Sequence, residues 1–436
     1  MDVAGTNLPA YEPVRALLAR SAEKYGKGGA ALTAYVGGEK VVDLWTGQAR
    51  TGQPWQEETR AVVMSVSKGL TTVCAQILFD RGLLDLEAPV SAYWPEFAQA
   101  GKEKTLVRHV LGHTSGVLGF DGQADLLFAD GTGWADNDAI IRRLAESSPS
   151  WEPGTRFGYH AFTYGWLTGE LVRRISGKSV GQFFADEIAG PLKLDAQIGT
   201  PLGSQHHVAQ VFNVTPGDTP KLLAPLMDAV QAHMRRSDTL SGRAFISGNG
   251  ASMLDSIEEL MSSPEFLAAE MPAGNATATA RDLARVYAML AGGGELDGVR
   301  IVSPESTRVF SGLSVHLPDA LLSDLDLKAA LKGNGGGPVT ALVRTLGVPI
   351  SKRLLGKKVR RGMGYMLNPG RNGLGAYFGP NPAAFGHDGA GGQVSFADVE
   401  NVVSVGYVRN HLATKDTISP LLIDAVYKCA NLPRKR

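Results

Sequence analysis

The chain has 436 residues, which is too long for one simple hydrophobic core and suits two closely packed subdomains. Apolar residues make up 44% of it and charged residues 20%, which is ordinary for a globular enzyme. Lysine plus arginine and aspartate plus glutamate number 43 each, so the formal net charge gives no general attraction to nucleic acid or to an acidic membrane.

The cysteines and the N-terminus indicate the compartment. Cys74 and Cys429 are too few for a disulfide framework and fit a reducing environment. The first residues, MDVAGTNLPAYEP, lack the apolar stretch of a signal peptide, and no run of about 18 apolar residues could span a membrane. We therefore expect a cytoplasmic protein.

Apolar periodicity predicts helices, most of which end at glycine. Alternating apolar residues predict strands, with Gly37-Gly38 forming a tight hairpin between the first two. The predicted helices cover residues 8–25, 65–81, 164–175, 279–291 and 418–430. The predicted strands cover residues 30–35, 40–45, 384–386, 393–397 and 402–408.

Strands at both chain ends and helices between them predict an α/β domain built from both termini with a helical insertion. The predicted boundaries are 1–85 for the N-terminal part of this domain, 86–290 for the inserted domain and 291–436 for the C-terminal part. The stretches 204–265 and 313–361 contain no motif that indicates a role.

Ser65-Val66-Ser67-Lys68 is the strongest chemical signal. Residues three apart share a helix face, so Lys68 should lie beside the Ser65 hydroxyl. A buried, neutral lysine can remove the serine proton, and free N–H groups at a helix start can stabilise an oxyanion. The spacing alone is weak evidence, because Ser21-Ala22-Glu23-Lys24 repeats it in a polar stretch that we interpret as solvated.

The surrounding sequence resembles the serine β-lactamase/penicillin-binding-protein superfamily, and within it the class C β-lactamase-like family VIII esterases. Five ordered segments carry the resemblance: RAVVMSVSKGL from Arg60, TLVRHVLGHTSGV from Thr105, PGTRFGYHAFTYGWLTGELVRRISGK from Pro153, PAGNATATARDLARVYAML from Pro272 and FGHDGAGGQ from Phe385. The resemblance implies an α+β, class C β-lactamase-like fold. Its antiparallel sheet would be flanked by helices from both chain ends, with a mainly helical inserted domain.

The resemblance also implies roles for individual residues. Ser65 would be the nucleophile, Lys68 its base or proton relay, and Tyr159 a second proton-transfer group. Which of Lys68 and Tyr159 is the acylation base stays open. The backbone N–H groups of Ser65 and Ala390 would form the oxyanion hole.

Two triplets depart from the family pattern. Tyr159-His160-Ala161 stands where Tyr-x-Asn is typical, so no side-chain amide is present to hold a substrate amide. His387-Asp388-Gly389 stands where Lys-Thr-Gly is typical and is our prediction for the substrate-binding residues. Histidine is at most partly charged near neutral pH, so recognition of a β-lactam carboxylate should be weak.

We therefore expect a serine carboxylesterase that forms an acyl-enzyme on Ser65, acts on small-molecule esters, and needs neither metal nor organic cofactor. A D-amino-acid amidase, a peptidase or an acyltransferase on the same site is the alternative activity. A binding or scaffold protein without catalysis is the alternative of another class. The oligomeric state cannot be predicted.

Three other motifs have simpler interpretations. Gly177-Lys178-Ser179-Val180-Gly181 fits the G-x-S-x-G elbow, but a helix precedes it where the elbow needs a strand. His109 and His113 have a metal-ligand spacing without H-E-x-x-H, and His206-His207 is an isolated pair, so structural roles are favoured.

The stretch 351–361, SKRLLGKKVRR, holds six basic residues and no acid. A solvated loop is the simpler interpretation. The alternative hypothesis is a weak peripheral contact with anionic lipid.

Overall fold

A seven-strand path of antiparallel pairs forms the centre of the protein. The structure, a computed structural model, describes residues 2–25, 28–212, 232–248, 251–324, 357–370, 373, 375–412 and 417–432. The strands of this sheet are β1 (Val3–Asn7), β2 (Gly29–Val36), β3 (Glu39–Arg50), β11 (Met366–Leu367), β12 (Phe385–Gly389), β13 (Gln393–Asp398) and β14 (Val403–Arg409). Their spatial order is β1-β3-β2-β14-β13-β12-β11, and β4 (Gln53–Pro54) pairs with β3 at the side.

The two ends of the chain meet in the middle of this sheet. β2 pairs with β14 from Val36 opposite Val403 to Ala30 opposite Arg409. The sheet is therefore built from both termini, and everything between β4 and β11 is inserted between two halves of one sheet. This arrangement is the α+β architecture that the sequence predicts, with an antiparallel sheet flanked by helices from both chain ends.

Helices cover both faces of the sheet. One face packs against α1 (Glu12–Tyr25) and the C-terminal α15 (Ser419–Cys429), which share an apolar cluster with the sheet. The other face packs against α12 (Ala280–Ala291) and, beyond it, α2 (Ser67–Asp80). The candidate nucleophile Ser65 lies just before the N-terminus of α2.

The inserted segment is mainly helical. Its helices are α3 (Val107–Leu111), α4 (Gln123–Leu126), α5 (Asn137–Glu146), α6 (Thr163–Ser176), α7 (Val180–Phe184), α8 (Gly190–Leu192), α9 (Leu240–Ala244), α10 (Ile257–Ser262) and α11 (Pro264–Ala268). Short strand pairs join β5 (Ala61–Val62) to β8 (Thr277–Ala278) and β6 (Ser247–Gly248) to β7 (Ala251–Ser252). After α12 come the hairpin β9 (Glu295–Leu296) and β10 (Val299–Arg300), then α13 (Pro304–Ser311) and α14 (Ala320–Ser323). The domain boundaries at 85 and 290 stay predictions, and α12, which packs on the sheet, spans residue 290.

The predicted helix 65–81 begins differently from the prediction. Residues Met64–Val66 form a 3-10 turn, and α2 begins only at Ser67. The hydroxyl of Ser67 donates to the Met64 carbonyl oxygen at 2.6 Å, which stabilises the turn. Ser65 therefore sits in the turn that leads into the helix, two residues before the first residue of α2.

Other elements differ from the prediction at their ends. The predicted helix 8–25 starts with a 3-10 turn at Pro9–Tyr11 before α1. β12 runs to Gly389, three residues past the predicted strand 384–386, so the triplet His387-Asp388-Gly389 belongs to the sheet.

Within the described residues, no helix is both long and apolar enough to cross a membrane.

Candidate active site

The Ser65 hydroxyl is presented by a strained turn. Met64 just before it has φ of +50°, in the left-handed region that residues with a side chain rarely adopt. The segment is held on its other side by the strand pair β5–β8 and by hydrogen bonds from Val63 N to Ala276 O at 2.9 Å and from Ala276 N to Ser67 Oγ at 3.1 Å. Backbone strain of this kind persists only where surrounding contacts hold it.

The Lys68 amine lies within hydrogen-bond distance of the Ser65 hydroxyl. Its Nζ is 3.2 Å from Ser65 Oγ, 2.7 Å from the Ala161 carbonyl oxygen and 2.9 Å from the Ala273 carbonyl oxygen. The side chain has no exposed surface, whereas Ser65 is partly exposed. The carbonyl oxygens of Ala161 and Ala273 fix the position of the Lys68 amine. The third hydrogen-bonding position of its Nζ then points at Ser65 Oγ.

Tyr159 is the third member of the group. Lys68 Nζ is 4.8 Å from the centre of its ring, and Ser65 is near enough to act on the pKa of its hydroxyl in the lowering direction. Ser65, Lys68 and Tyr159 are 94 residues apart at most in sequence, and the structure brings them into one contact group.

Histidines brace the loop that carries Tyr159. The ring of His113 stacks on the Tyr159 ring with centroids 5.3 Å apart, and its Nδ1 accepts a hydrogen bond from His160 N at 3.1 Å. His160 Nδ1 pairs with Gly158 O at 2.6 Å, and its Nε2 pairs with Ser115 Oγ at 2.9 Å. Burial lowers the pKa of His113 well below its ordinary value and that of His160 to about 4. Both imidazoles are therefore neutral structural supports near neutral pH.

The end of β12 closes the site against the Ser65 turn. A Cβ added to Gly389 would lie 2.6 Å from the Val63 carbonyl oxygen, so only glycine allows this approach. The next residue, Ala390, is exposed at the turn after the strand. The end of β12, which leads into Ala390, therefore packs against the backbone just before Ser65, and the oxyanion hole formed by Ser65 and Ala390 stays a prediction.

His387 requires a correction. The sequence predicts a substrate contact, but the side chain of His387 has no exposed surface. Its Nδ1 pairs with the Asp388 carbonyl oxygen at 2.6 Å, and its ring centre is 6.4 Å from that of Tyr159. Alternation along the strand turns this side chain inward and leaves the Asp388 side chain 39% exposed. Of the triplet's side chains, Asp388 is the one that can reach a substrate.

Arg361 joins the group although the sequence analysis placed it in a surface stretch. The guanidinium carbon lies 5.5 Å from the centre of the Tyr159 ring and 5.4 Å from that of Phe157. Arg361 is only 8% exposed, and Val359 beside it is 7% exposed. The basic stretch therefore turns into the protein at its end. Residues 351–356 of that stretch, like the segment 325–350 before it, lie outside the described residues.

Burial dominates the electrostatics of the group. Burial and then the charge of Arg361 lower the pKa of Lys68 well below its ordinary value, against an opposing effect of Asp388. Burial raises the pKa of Tyr159, while Ser65 and the charge of Arg361 act in the lowering direction. The lysine is thus pushed toward a neutral amine that can accept a proton.

The competing motifs have structural roles. Ser179 caps α7, since its Oγ accepts from Gln182 N at 3.2 Å and donates to Glu270 Oε1 at 2.6 Å. His109 Nδ1 accepts from Leu106 N at 3.2 Å. In the part of the chain that is described, no three His, Cys, Asp or Glu side chains are grouped to hold a metal ion. The side chains of Ser21 and Lys24 lie outside the described residues.

Comparison with known proteins places this geometry in a family. The sequence profile of the family described as Beta-lactamase matches residues 14–425. The esterase/beta-lactamase LipL of Mycobacterium tuberculosis is 33% identical over 410 residues, which cover 91% of this chain and 79% of LipL.

Solved structures agree. The crystal structure of a family VIII carboxylesterase is 30% identical, with a TM-score of 0.77 over 98% of this chain and 100% of that one. A penicillin-binding protein homologue from Caulobacter crescentus is also 30% identical, with a TM-score of 0.76 over the same shares. The chain therefore belongs to the beta-lactamase family and is a hydrolase of that family.

Proposed function

We propose that this protein hydrolyses carboxylic esters through an acyl-enzyme on Ser65. The observation that carries the proposal is the buried Lys68 amine, held 3.2 Å from the Ser65 hydroxyl by two backbone carbonyls. A serine hydroxyl becomes a nucleophile when a group within hydrogen-bond reach takes its proton. The esterase and carboxylesterase names of the relatives support the ester as the substrate class.

In the acylation step, Ser65 Oγ attacks the ester carbonyl carbon while its proton passes to Lys68 or Tyr159. The carbonyl oxygen becomes an oxyanion, which accepts hydrogen bonds from the N–H groups of Ser65 and Ala390. The carbon–oxygen bond to the alcohol then breaks, and the leaving alkoxide receives the proton.

In the deacylation step, water attacks the same carbonyl carbon and gives its proton to the same base. The bond to Ser65 Oγ breaks, the acid product leaves, and the serine regains its proton. Each turnover consumes one water and restores all three side chains.

The site favours esters over β-lactams. A β-lactam presents an amide and a carboxylate. Ala161 offers no side-chain amide to bind the substrate amide. Burial lowers the pKa of His387 well below its ordinary value, so this side chain stays neutral and offers no cation to the carboxylate. Asp388 adds a partly exposed carboxylate at the same place. Losing a charge-assisted hydrogen bond costs about 1.5–3 kcal/mol, whereas a simple ester needs neither contact.

A substrate panel tests this proposal. We expect a short-chain p-nitrophenyl ester to give a far higher kcat/KM at neutral pH than a chromogenic cephalosporin or a D-amino-acid amide. Ser65→Ala should abolish ester hydrolysis, and the matched Ser179→Ala variant should keep it. Equal turnover of cephalosporin and ester would contradict the substrate class, and an active Ser65→Ala enzyme would contradict the mechanism.

A further inference from the structure

Arg361 is a buried cation whose main chain is fixed on both sides. Its N–H donates to Val315 O at 3.0 Å, and its carbonyl oxygen accepts from Val315 N at 3.0 Å and from Ser314 N at 2.8 Å. Its side-chain Nη1 is buried and has no hydrogen-bond partner among the described residues. A buried guanidinium nitrogen without a partner is costly, so its position needs an explanation beyond packing.

The Tyr159 ring offers that explanation. The guanidinium carbon is 5.5 Å from the ring centre, within the range of a cation–π contact. Lys68 Nζ is 4.8 Å from the same centre. A phenolate ring carries more negative charge than a phenol ring, so a fixed cation at this distance stabilises the phenolate more.

The same charge acts on Lys68. After burial, the charge of Arg361 is the next cause that lowers the pKa of Lys68, and it also acts to lower the pKa of Tyr159. Asp388 acts in the opposite direction on both groups. The titratable and charged groups around Tyr159 are Ser65, Lys68, His113, His160, Tyr164, Asp319, Arg361, His387 and Asp388.

We propose that Arg361 is a positioning residue that acts on Ser65 through Tyr159 and Lys68, because its fixed positive charge favours the proton-accepting form of both. The proposal rests on the proposed function and holds whichever of the two groups takes the serine proton. In the acylation step, the proton leaves Ser65 Oγ, binds the Tyr159 phenolate or the Lys68 amine, and then passes to the leaving alkoxide.

The inward-facing His387 explains why a second cation is useful here. In the family pattern, this place carries the lysine of Lys-Thr-Gly, whereas here it carries a neutral, buried imidazole. Arg361 reaches the Tyr159 ring from another segment, just before β11, and supplies a charge that His387 does not. An arginine keeps this charge at every working pH.

The pH dependence of kcat/KM for a neutral p-nitrophenyl ester tests the proposal. For Arg361→Gln, we expect the ascending limb to move up by about one pH unit, with about a tenfold loss at neutral pH. Arg361→Lys keeps a cation but not the planar contact, so its limb should move by a smaller amount in the same direction. Arg360→Gln is the matched control, because the neighbouring Arg360 donates to Asn368 O at 2.8 Å and should leave the limb in place.

An unmoved limb in Arg361→Gln would overturn the proposal. A higher KM with an unmoved limb would make Arg361 a substrate contact and would overturn it equally. If Arg361→Gln does not fold, the limb of Arg361→Lys decides in the same way. Ser65→Ala measured in parallel separates the two proposals. If Ser65→Ala is inactive and the limb of Arg361→Gln is unmoved, only the role of Arg361 is refuted. If Ser65→Ala is active, the proposed function is refuted.

Discussion

Two side chains, those of Lys68 and Tyr159, lie beside Ser65 and are the candidates to take its proton. Lys68 Nζ is 3.2 Å from Ser65 Oγ and 4.8 Å from the centre of the Tyr159 ring. The carbonyl oxygens of Ala161 and Ala273 hold Lys68, and Ala161 is two residues after Tyr159. Any shift of the tyrosine loop therefore moves the lysine as well, so we expect the two groups to act as one unit.

Lys68→Ala and Tyr159→Phe should each lower kcat/KM for an ester by roughly 10²–10⁴ with the fold retained, because each removes a proton-transfer group. The double variant should be little worse than either single variant, since groups that act as a unit lose activity non-additively. Steady-state kinetics and circular dichroism on the three variants provide the measurement. Strictly additive losses, or a Tyr159→Phe enzyme of nearly normal rate, would contradict the shared path.

Sequence reasoning reached this site unevenly, for physical reasons. The i, i+3 spacing of Ser65 and Lys68 is local and survives the change from helix to 3-10 turn. Tyr159 could be selected only through resemblance, because an aromatic residue in a loop has no pattern of its own. Arg361 could not be found, because a run of basic residues does not reveal which of them turns inward. The inward position of His387 depends on the strand reaching Gly389, which the short predicted strand did not include.

At the scale of elements, a charged contact joins the N-terminal hairpin to helix α12. Asp43 on β3 accepts from Arg281 Nε and from Lys40 Nζ, each at 2.8 Å, and from Thr33 Oγ1 at 3.1 Å. Its side chain is only 9% exposed. Burial alone would raise the pKa of Asp43, but hydrogen bonds and charges of Arg281 and Lys40 outweigh it, so the pKa is lowered.

Asp43→Asn should therefore destabilise the fold by about 2 kcal/mol, the scale of a hydrogen bond to a charged group. For a protein of this size, that corresponds to a fall of about 2 °C in melting temperature at neutral pH. Because the folded pKa is lowered, the stabilisation is present above the unfolded pKa and is lost as the pH falls through the folded value. The difference from wild type should thus shrink below about pH 4.

Asp297→Asn is the matched control for this measurement. Asp297 pairs with Arg285 of the same helix at 2.7 Å, but its side chain is 57% exposed. Exposed pairs contribute at most about 1 kcal/mol, so its melting temperature should change less. Equal shifts in the two variants, or a difference for Asp43→Asn that grows in acid, would count against this contact.

Long periodic helices and the main hairpin were predictable at this scale, because their signals lie within each segment. α6, α12 and α15 begin and end within one or two residues of the prediction. β1 was missed, because a five-residue strand at a sheet edge, with alternating partial exposure, has little apolar signal. The pairing of β2 with β14 joins residues more than 360 apart, which no local pattern shows.

At the scale of the whole molecule, neutral net charge and one basic stretch coexist. Of the six basic residues in 351–361, Arg361 is buried, and Arg360 donates to Asn368 O. Lys358 is exposed and Lys357 is half-buried. The hypothesis of a weak contact with anionic lipid therefore loses at least one of its charges to the interior.

A variant with Lys352, Arg353, Lys357 and Lys358 each changed to Gln tests the lipid hypothesis. If the stretch binds lipid, wild type should co-sediment with phosphatidylserine vesicles at low salt and the variant should not. Each basic residue near an anionic surface contributes about 1 kcal/mol of attraction, which the variant loses. Vesicles of neutral lipid serve as the control. Equal, negligible pelleting of both proteins would leave the stretch a solvated surface segment.

The most direct test of the central claim is to identify the residue that reacts with a fluorophosphonate. In that reaction, the activated hydroxyl attacks phosphorus, fluoride leaves, and the serine proton passes to the base. After labelling, digestion and mass spectrometry, the account predicts a single modified peptide with the added mass on Ser65. It also predicts much slower labelling of Lys68→Ala. A label on Ser179, or labelling of wild type and Lys68→Ala at the same rate, would contradict it.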